Sequence, residues 1–238
     1  MAEIILKVDL HSHTWYSGDS LMPPEVLVRR ARAAGLDRIA VTDHGAIQGA
    51  LEARRLDPEL VIVGEEIRCD DGTEVIGLYL NERIPFGLTV TETAARIRGQ
   101  GGVVYAPHPF AYLTAATVRA QRIMDVADLI EVFNSRAFFP PWNQRAALHA
   151  GTHGLPALAG SDAHLPWEIG RAFTEMPVFD DAAGLCRVAG HARPCGVKRG
   201  SPLLHAVTVS LHTGRRVLGR GHGRRPFGAP TPARPLAE

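Results

Sequence analysis

Short β-branched or apolar runs alternate with helix-like segments from Ile4 to about Pro166, the pattern of repeated βα units around a parallel sheet. Seven runs read as strands: IILKVDL, RIAVTD, LVIVGEE, EVIGLYL, GGVVYAP, LIEVFN and PALAGSD. Between the first two, Pro23 and Pro24 open a helix that carries Val26, Leu27, Ala31 and Ala34 and stops at Gly35, with proline at its entry and glycine at its exit. Comparable helical segments are expected at 46–55, 91–98 and 142–153. The third and fourth strands are joined by RCDDGT, whose Asp71-Gly72 pair predicts a hairpin turn that breaks the regular alternation. The expected fold class is therefore α/β, an irregular barrel occupying residues 1–180. Beyond about Val178 the pattern weakens, so 181–218 reads as a C-terminal extension on or near the barrel. Residues 219–238, rich in Gly, Pro and Arg, have little to bury and read as a disordered tail.

Composition narrows the function more than the fold. At 238 residues a single large α/β barrel is long enough to bury its own core. The 26 Lys plus Arg nearly cancel 25 Asp plus Glu, so no global field draws in a polyanion or a membrane surface. Cys69, Cys186 and Cys195 form no C-x-x-C pair, which argues against a thiolate zinc site or a disulfide framework. With no apolar run approaching a membrane span and no export signal, the expected location is cytoplasmic.

The chemistry gathers at the C-terminal ends of the strands. The first ends in Asp9, His11 and His13, the second in Asp43 and His44, the third in Glu65 and Glu66. The fifth ends in His108, the sixth in Glu131 and Asn134, the seventh in Asp162 and His164. In an α/β barrel those ends converge on one face. Two histidines at i, i+2 lie on the same side of an extended segment and can reach one ion. Carboxylates and imidazoles packed together without counter-ions would repel one another and pay heavily for desolvation, so the cluster implies bound cations. Mixed nitrogen and oxygen donors suit Zn, Mn or Fe(II), and their number implies two or three ions sharing a bridging carboxylate, a hydrolytic arrangement. His149 and His153 have the helical i, i+4 spacing but lack the adjacent glutamate of H-E-x-x-H and read as surface residues. The glycines of GQGGVV precede a strand and read as a helix stop, not a phosphate loop.

In order, DLHSHTWYSGDS, IAVTDHGAIQGA, GEEI, AHPF, IEVFNSR and AGSDAH resemble the motifs of the polymerase and histidinol phosphatase (PHP) family over roughly residues 6–180. The segment from TEVIGLYL to APHPF resembles a compact branch of metal-dependent phosphoesterases. The resemblance implies a distorted seven-stranded (β/α) barrel with a trinuclear metal site. By position, it implies one ion on His11, His13, Glu65 and Asp162, with Glu65 bridging to a second ion near His108. A third is implied on Asp19, His44 and His164. Asp19 and Glu74 stand where some members carry histidine, and their hard oxygen donors tilt the metal toward Mn or Fe. The implied reaction is hydrolysis of a phosphomonoester, a small phosphodiester or a nucleotide by a metal-bridging hydroxide. Asp162 then belongs to the catalytic centre, His44 or His164 protonates the leaving oxygen, and Arg136 holds the phosphate. No lid insertion separates the Asp43-His44 and His108 motifs, which weakens a nucleotide-specific assignment. Two other classes remain open: an amidohydrolase-like C–N hydrolase, and a non-catalytic barrel that binds metal or nucleotide for regulation.

Overall fold

The structure is a computed structural model, and it describes residues 4–111, 116–196 and 198–200. All seven expected strands are present: β1 (Ile5–Asp9), β2 (Arg38–Val41), β3 (Val61–Arg68), β4 (Glu74–Leu78), β5 (Val103–Ala106), β6 (Leu129–Asn134) and β7 (Ala157–Gly160). Two more follow, β8 (Phe173–Pro177) and β9 (Arg193–Cys195). The helices are α1 (Pro24–Ala33), α2 (Gln48–Leu56), α3 (Val90–Gly99), α4 (Ala116–Met124), α5 (Pro140–His153) and α6 (Ala182–Val188). The strands lie in the order β7-β6-β5-β4-β3-β2-β1-β8-β9, a nearly closed mixed barrel of nine strands instead of seven. The Asp71-Gly72 turn does join an antiparallel pair, β3 with β4, and Gly72 takes the positive φ of 81° such a tight turn needs. None of the described helices is long and apolar enough to cross a membrane. Residues 181–196 supply α6 and β9; the remainder of the expected extension beyond 200, and the expected tail at 219–238, lie outside the described residues.

Alternation along the strands divides the core in two. Ile39, Val41, Val61, Val63, Ile67, Ile130 and Val132 belong to the layer between sheet and helices. Leu6, Val8, Ala40, Ile62, Ile76, Leu129 and Leu158 pack in the barrel interior, with Met176 and Leu185. Helix α1 shows how the outer layer forms: Leu27 and Ala31 are buried on its inner face, four residues apart on one stripe.

Closure at the chemical end of the barrel runs through the segments that follow β1 and β7. His13 N donates to the Ala163 carbonyl at 2.9 Å, and Asp162 N donates to the His11 carbonyl at 2.9 Å. Lower down, Ala159 N donates to Thr174 Oγ1 at 2.8 Å, so one hydroxyl joins β7 to β8. These bonds place the H-x-H segment directly against the S-D-A-H segment, 150 residues away in sequence.

Candidate metal centre

At the floor of the site His11 and His13 are fully buried. Their Nε2 atoms lie 3.1 Å apart. Asp162 Oδ1 stands 3.2 Å from His13 Nε2 and 3.6 Å from His11 Nε2, and Glu66 Oε2 stands 3.4 Å from each. Donors held about 2.0–2.2 Å from one ion at tetrahedral angles are separated by about 3.3–3.6 Å. The His11, His13 and Asp162 donors, at separations of 3.1, 3.2 and 3.6 Å, therefore fit around one cation.

Three further groups overlap this one. His13, Asp19, His44 and His164 converge; so do His11, Glu66 and His108; and so do His44, Glu66 and Glu74. Asp19 Oδ2 lies 3.1 Å from His164 Nε2 and 3.4 Å from His44 Nε2, while its buried Oδ1 has no hydrogen-bond partner. An orphaned buried carboxylate oxygen beside two imidazoles is what an ion would satisfy. Glu66 is the shared residue: Oε2 is 3.1 Å from His44 Nδ1, and Oε1 is 3.2 Å from His108 Nε2. Asp162 and His108 hold positive φ values of 51° and 25°, conformations a non-glycine residue keeps only when its surroundings enforce them.

The electrostatics carry the mark of clustered charge. Burial disfavours the charged form of His44, but the Glu66 and Asp19 carboxylates outweigh it and lift the pKa to about 10. His108 is likewise lifted to about 9 against its burial by Glu66. His13 goes the other way, pushed down to about 3 by burial and by His164, so it presents a neutral imidazole. Glu66 stays well below its usual range, because His44 and His11 overcome its burial. An ion bound by His44 or His108 would compete with the proton that these carboxylates favour there.

The structure brings His11, His13, Asp19, His44, Glu74, His108, Asp162 and His164 together in overlapping groups and places Glu65 and Arg136, expected at the same site, elsewhere. Glu65 is not in the cluster. On β3 it alternates with Glu66, facing outward with Val63 and Ile67; its Oε2 accepts from Ile84 N at 2.8 Å and its Oε1 lies 3.8 Å from Arg83 Nε. Glu66, its neighbour on β3, is the glutamate whose carboxylate faces the imidazoles of His11, His13, His44 and His108. Arg136 does not stand free for a phosphate either: its Nη1 lies 3.1 Å from both Glu168 oxygens, and both side chains are buried. Glu168 Oε2 in turn accepts from the main chain of His164 and Leu165 at 2.9 and 3.0 Å, so the ion pair fixes the loop that carries His164. Arg136→Ala should therefore destabilise the fold by about 3 kcal/mol, because it strands a buried carboxylate; urea denaturation measures this.

Asp43, beside His44, is a clamp and not a cluster member. Its two oxygens accept from Thr14 N and Thr14 Oγ1, both at 2.6 Å, and tie the end of β2 to the H-x-H segment. Gly49 lets the clamp close, since a Cβ there would lie 2.1 Å from Asp43 Oδ2 and 2.3 Å from Thr14 Oγ1. Gly49→Ala should cost about 1–3 kcal/mol through overpacking, seen as a lowered thermal midpoint. His149 and His153 lie on α5, outside the cluster.

Residues 9–96 match the PHP domain, and residues 140–193 match the PHP-associated C-terminal region. An uncharacterized protein of Methanocaldococcus jannaschii is 40% identical over 55% of this chain and 82% of its own. A crystal structure from Bacteroides vulgatus, a two-domain protein containing a "predicted PHP-like metal-dependent phosphoesterase", superposes with a TM-score of 0.64 at 18% identity, over 87% of this chain and 70% of that one. An amidohydrolase from Chromobacterium violaceum superposes with a TM-score of 0.58 at 18% identity, over 84% and 96%. With the PHP domain at residues 9–96, the PHP-associated region at 140–193, and the barrel that brings residues of both to one buried His/Asp/Glu cluster, the chain belongs to the PHP family.

Proposed function

We propose that this protein is a metal-dependent phosphoesterase that hydrolyses a small phosphomonoester or phosphodiester, a nucleotide among the candidates. The observation that supports it best is the overlap of the donor groups on Glu66, which touches four imidazoles and so can serve adjacent ions. Divalent ions held there would supply positive charge to a phosphoryl group and acidify water. His11, His13, Glu66 and Asp162 would form the inner site, with Glu66, Glu74, His44 and His108 beside it and Asp19, His44 and His164 outermost. Mn, Fe or Zn all suit this donor set.

The chain's own residues set the direction of approach. His11 and His13 are sealed, whereas the side chains of His44 and Glu74 are 26% and 21% exposed, so substrate reaches the centre from that rim. His164 Nδ1 lies 2.8 Å from the Asp162 carbonyl, which keeps its proton there and turns Nε2 toward Asp19. His44 is the more exposed of these two imidazoles at that rim. Fold likeness does not choose the bond cleaved, since the same barrel serves a protein named as an amidohydrolase. The absence of a lysine at the centre favours phosphoesters over the C–N alternative: Lys7 sits over the Phe173 ring and the main chain of Lys198 bonds Arg171.

The test is turnover of p-nitrophenyl phosphate, bis-p-nitrophenyl phosphate, nucleotides, sugar phosphates and N-acyl amides by protein loaded with Mn, Fe(II) or Zn. Phosphoester turnover that a chelator abolishes and one of these ions restores is expected. Amide turnover without phosphoester turnover, or full activity after chelation, would overturn the reading.

A further inference from the structure

Behind the donors that face the candidate ions lies a carboxylate that the cluster itself does not include. Glu131 points inward from β6 and is fully buried. Its Oε1 lies 3.1 Å from His11 Nδ1. Its Oε2 accepts from His108 N at 2.8 Å and from Asn134 Nδ2 at 2.9 Å. The orientation of the Asn134 amide is settled by its other end, where Oδ1 accepts from Arg136 N at 2.8 Å and Ala137 N at 3.0 Å. Nδ2 is left to face carboxylates, and it also reaches Asp162 Oδ2 at 3.2 Å. The backbone makes room for this hub: a Cβ on Gly160 would lie 2.1 Å from Glu131 Oε1 and 2.9 Å from His11 Cβ.

We propose that Glu131 is the positioning residue of the metal centre, holding donors of two ion groups at once. An imidazole that binds an ion through Nε2 must carry its proton on Nδ1, and that proton needs an acceptor. Glu131 Oε1 is the acceptor for His11. The other oxygen holds His108 in its positive-φ conformation and, through Asn134, orients Asp162. His11 and Asp162 share one donor group, and His11 and His108 share another, so a single carboxylate sets the geometry of both.

Three donors converge on Glu131. Glutamine keeps its size but offers one acceptor oxygen and one amide donor, so in either orientation at least one of the three contacts becomes donor against donor. The experiment strips native protein and Glu131→Gln of metal, then titrates each with Zn(II) and with Mn(II) by equilibrium dialysis. The variant is expected to bind about 10–100-fold more weakly. In the Zn-loaded native protein, the His11 Nδ1 proton is expected as a downfield, slowly exchanging NMR resonance; in the variant it shifts or disappears. Circular dichroism of the metal-free forms separates this from unfolding. Should Glu131→Gln not fold, Gly160→Ala crowds Oε1 without changing any charge and should weaken binding in the same direction. Native affinity in a folded variant, or an unchanged Nδ1 resonance, overturns the proposal. It rests on the metal-centre reading, whose failure would be seen separately as a native protein that takes up no divalent ion; absence of phosphoester turnover leaves it standing.

Discussion

Replacing His11 and His13 together by alanine is expected to empty the inner donor group and to abolish the proposed hydrolysis while the barrel stays folded. Each Nε2 belongs to two of the four overlapping donor groups, so the double variant removes a nitrogen donor from three of them. Every remaining donor in the innermost set is a carboxylate, and carboxylates this deeply buried take up protons when their counter-charges go. Ion content per chain, read by elemental analysis after dialysis against excess Zn or Mn, should fall by at least one equivalent, and phosphoester turnover should fall below detection. The fold survives because the bonds joining the two chain segments run through main chain, His13 N to Ala163 and Asp162 N to His11, which alanine preserves. A native circular-dichroism spectrum is expected. Native ion content or activity in that protein would exclude the cluster as the reactive centre.

Much of this was legible in the chain because the barrel writes itself as alternating strand and helix signals. All seven strands and the helices after Pro23, near 46–55, 91–98 and 142–153, are read from apolar runs, helical spacing and Pro/Gly boundaries. Strands β8 and β9 are not, for a physical reason. Phe173–Pro177 alternates half-buried with buried positions over only five residues, and Arg193–Cys195 is three residues long with no buried member. β9 pairs antiparallel with β8 across α6, and β8 itself returns antiparallel to β1, a long-range choice that local pattern does not record. Helix α6, seven residues long, is similarly below the length at which a 3.6-residue rhythm declares itself. Of the clustered donors, His11, His13, His44, His108, Asp162 and His164 stand just past strand ends and were named from that position alone, whereas Asp19 and Glu74 were named only through the family resemblance. Arg136 misled because a charged residue in a loop beside the site looks free until its partner, Glu168, is brought over 32 residues to meet it.

Glu65 and Glu66 present the other limit, and the sharpest contrast between two variants. Strand β3 is buried on both faces over Val61–Ile67, so its apolar residues fill both parities and cannot say which glutamate points inward. In the folded barrel Ile62 and Glu66 share the interior, and Val63, Glu65 and Ile67 face the helices. Glu66→Gln should therefore cost about 100-fold or more in ion affinity, since it removes the anionic charge that adjacent cations share, with turnover lost in proportion. Glu65→Gln should leave ion content and turnover at native levels. Its effect is on stability and runs with pH: burial lifts the Glu65 carboxyl from its ordinary 4.5 to about 7, although Ile84 N and Arg83 pull it back. A carboxyl raised in the folded state binds its proton more tightly there than in the unfolded chain. The native protein then loses stability as pH rises from about 4.5 through about 7, whereas the glutamine variant, which still accepts from Ile84 N, does not. Denaturant midpoints of the metal-free proteins at pH 5 and pH 8 should show the native protein falling relative to Glu65→Gln. Loss of ions in Glu65→Gln, with Glu66→Gln unaffected, would reverse the register of β3 and place the wrong glutamate at the centre.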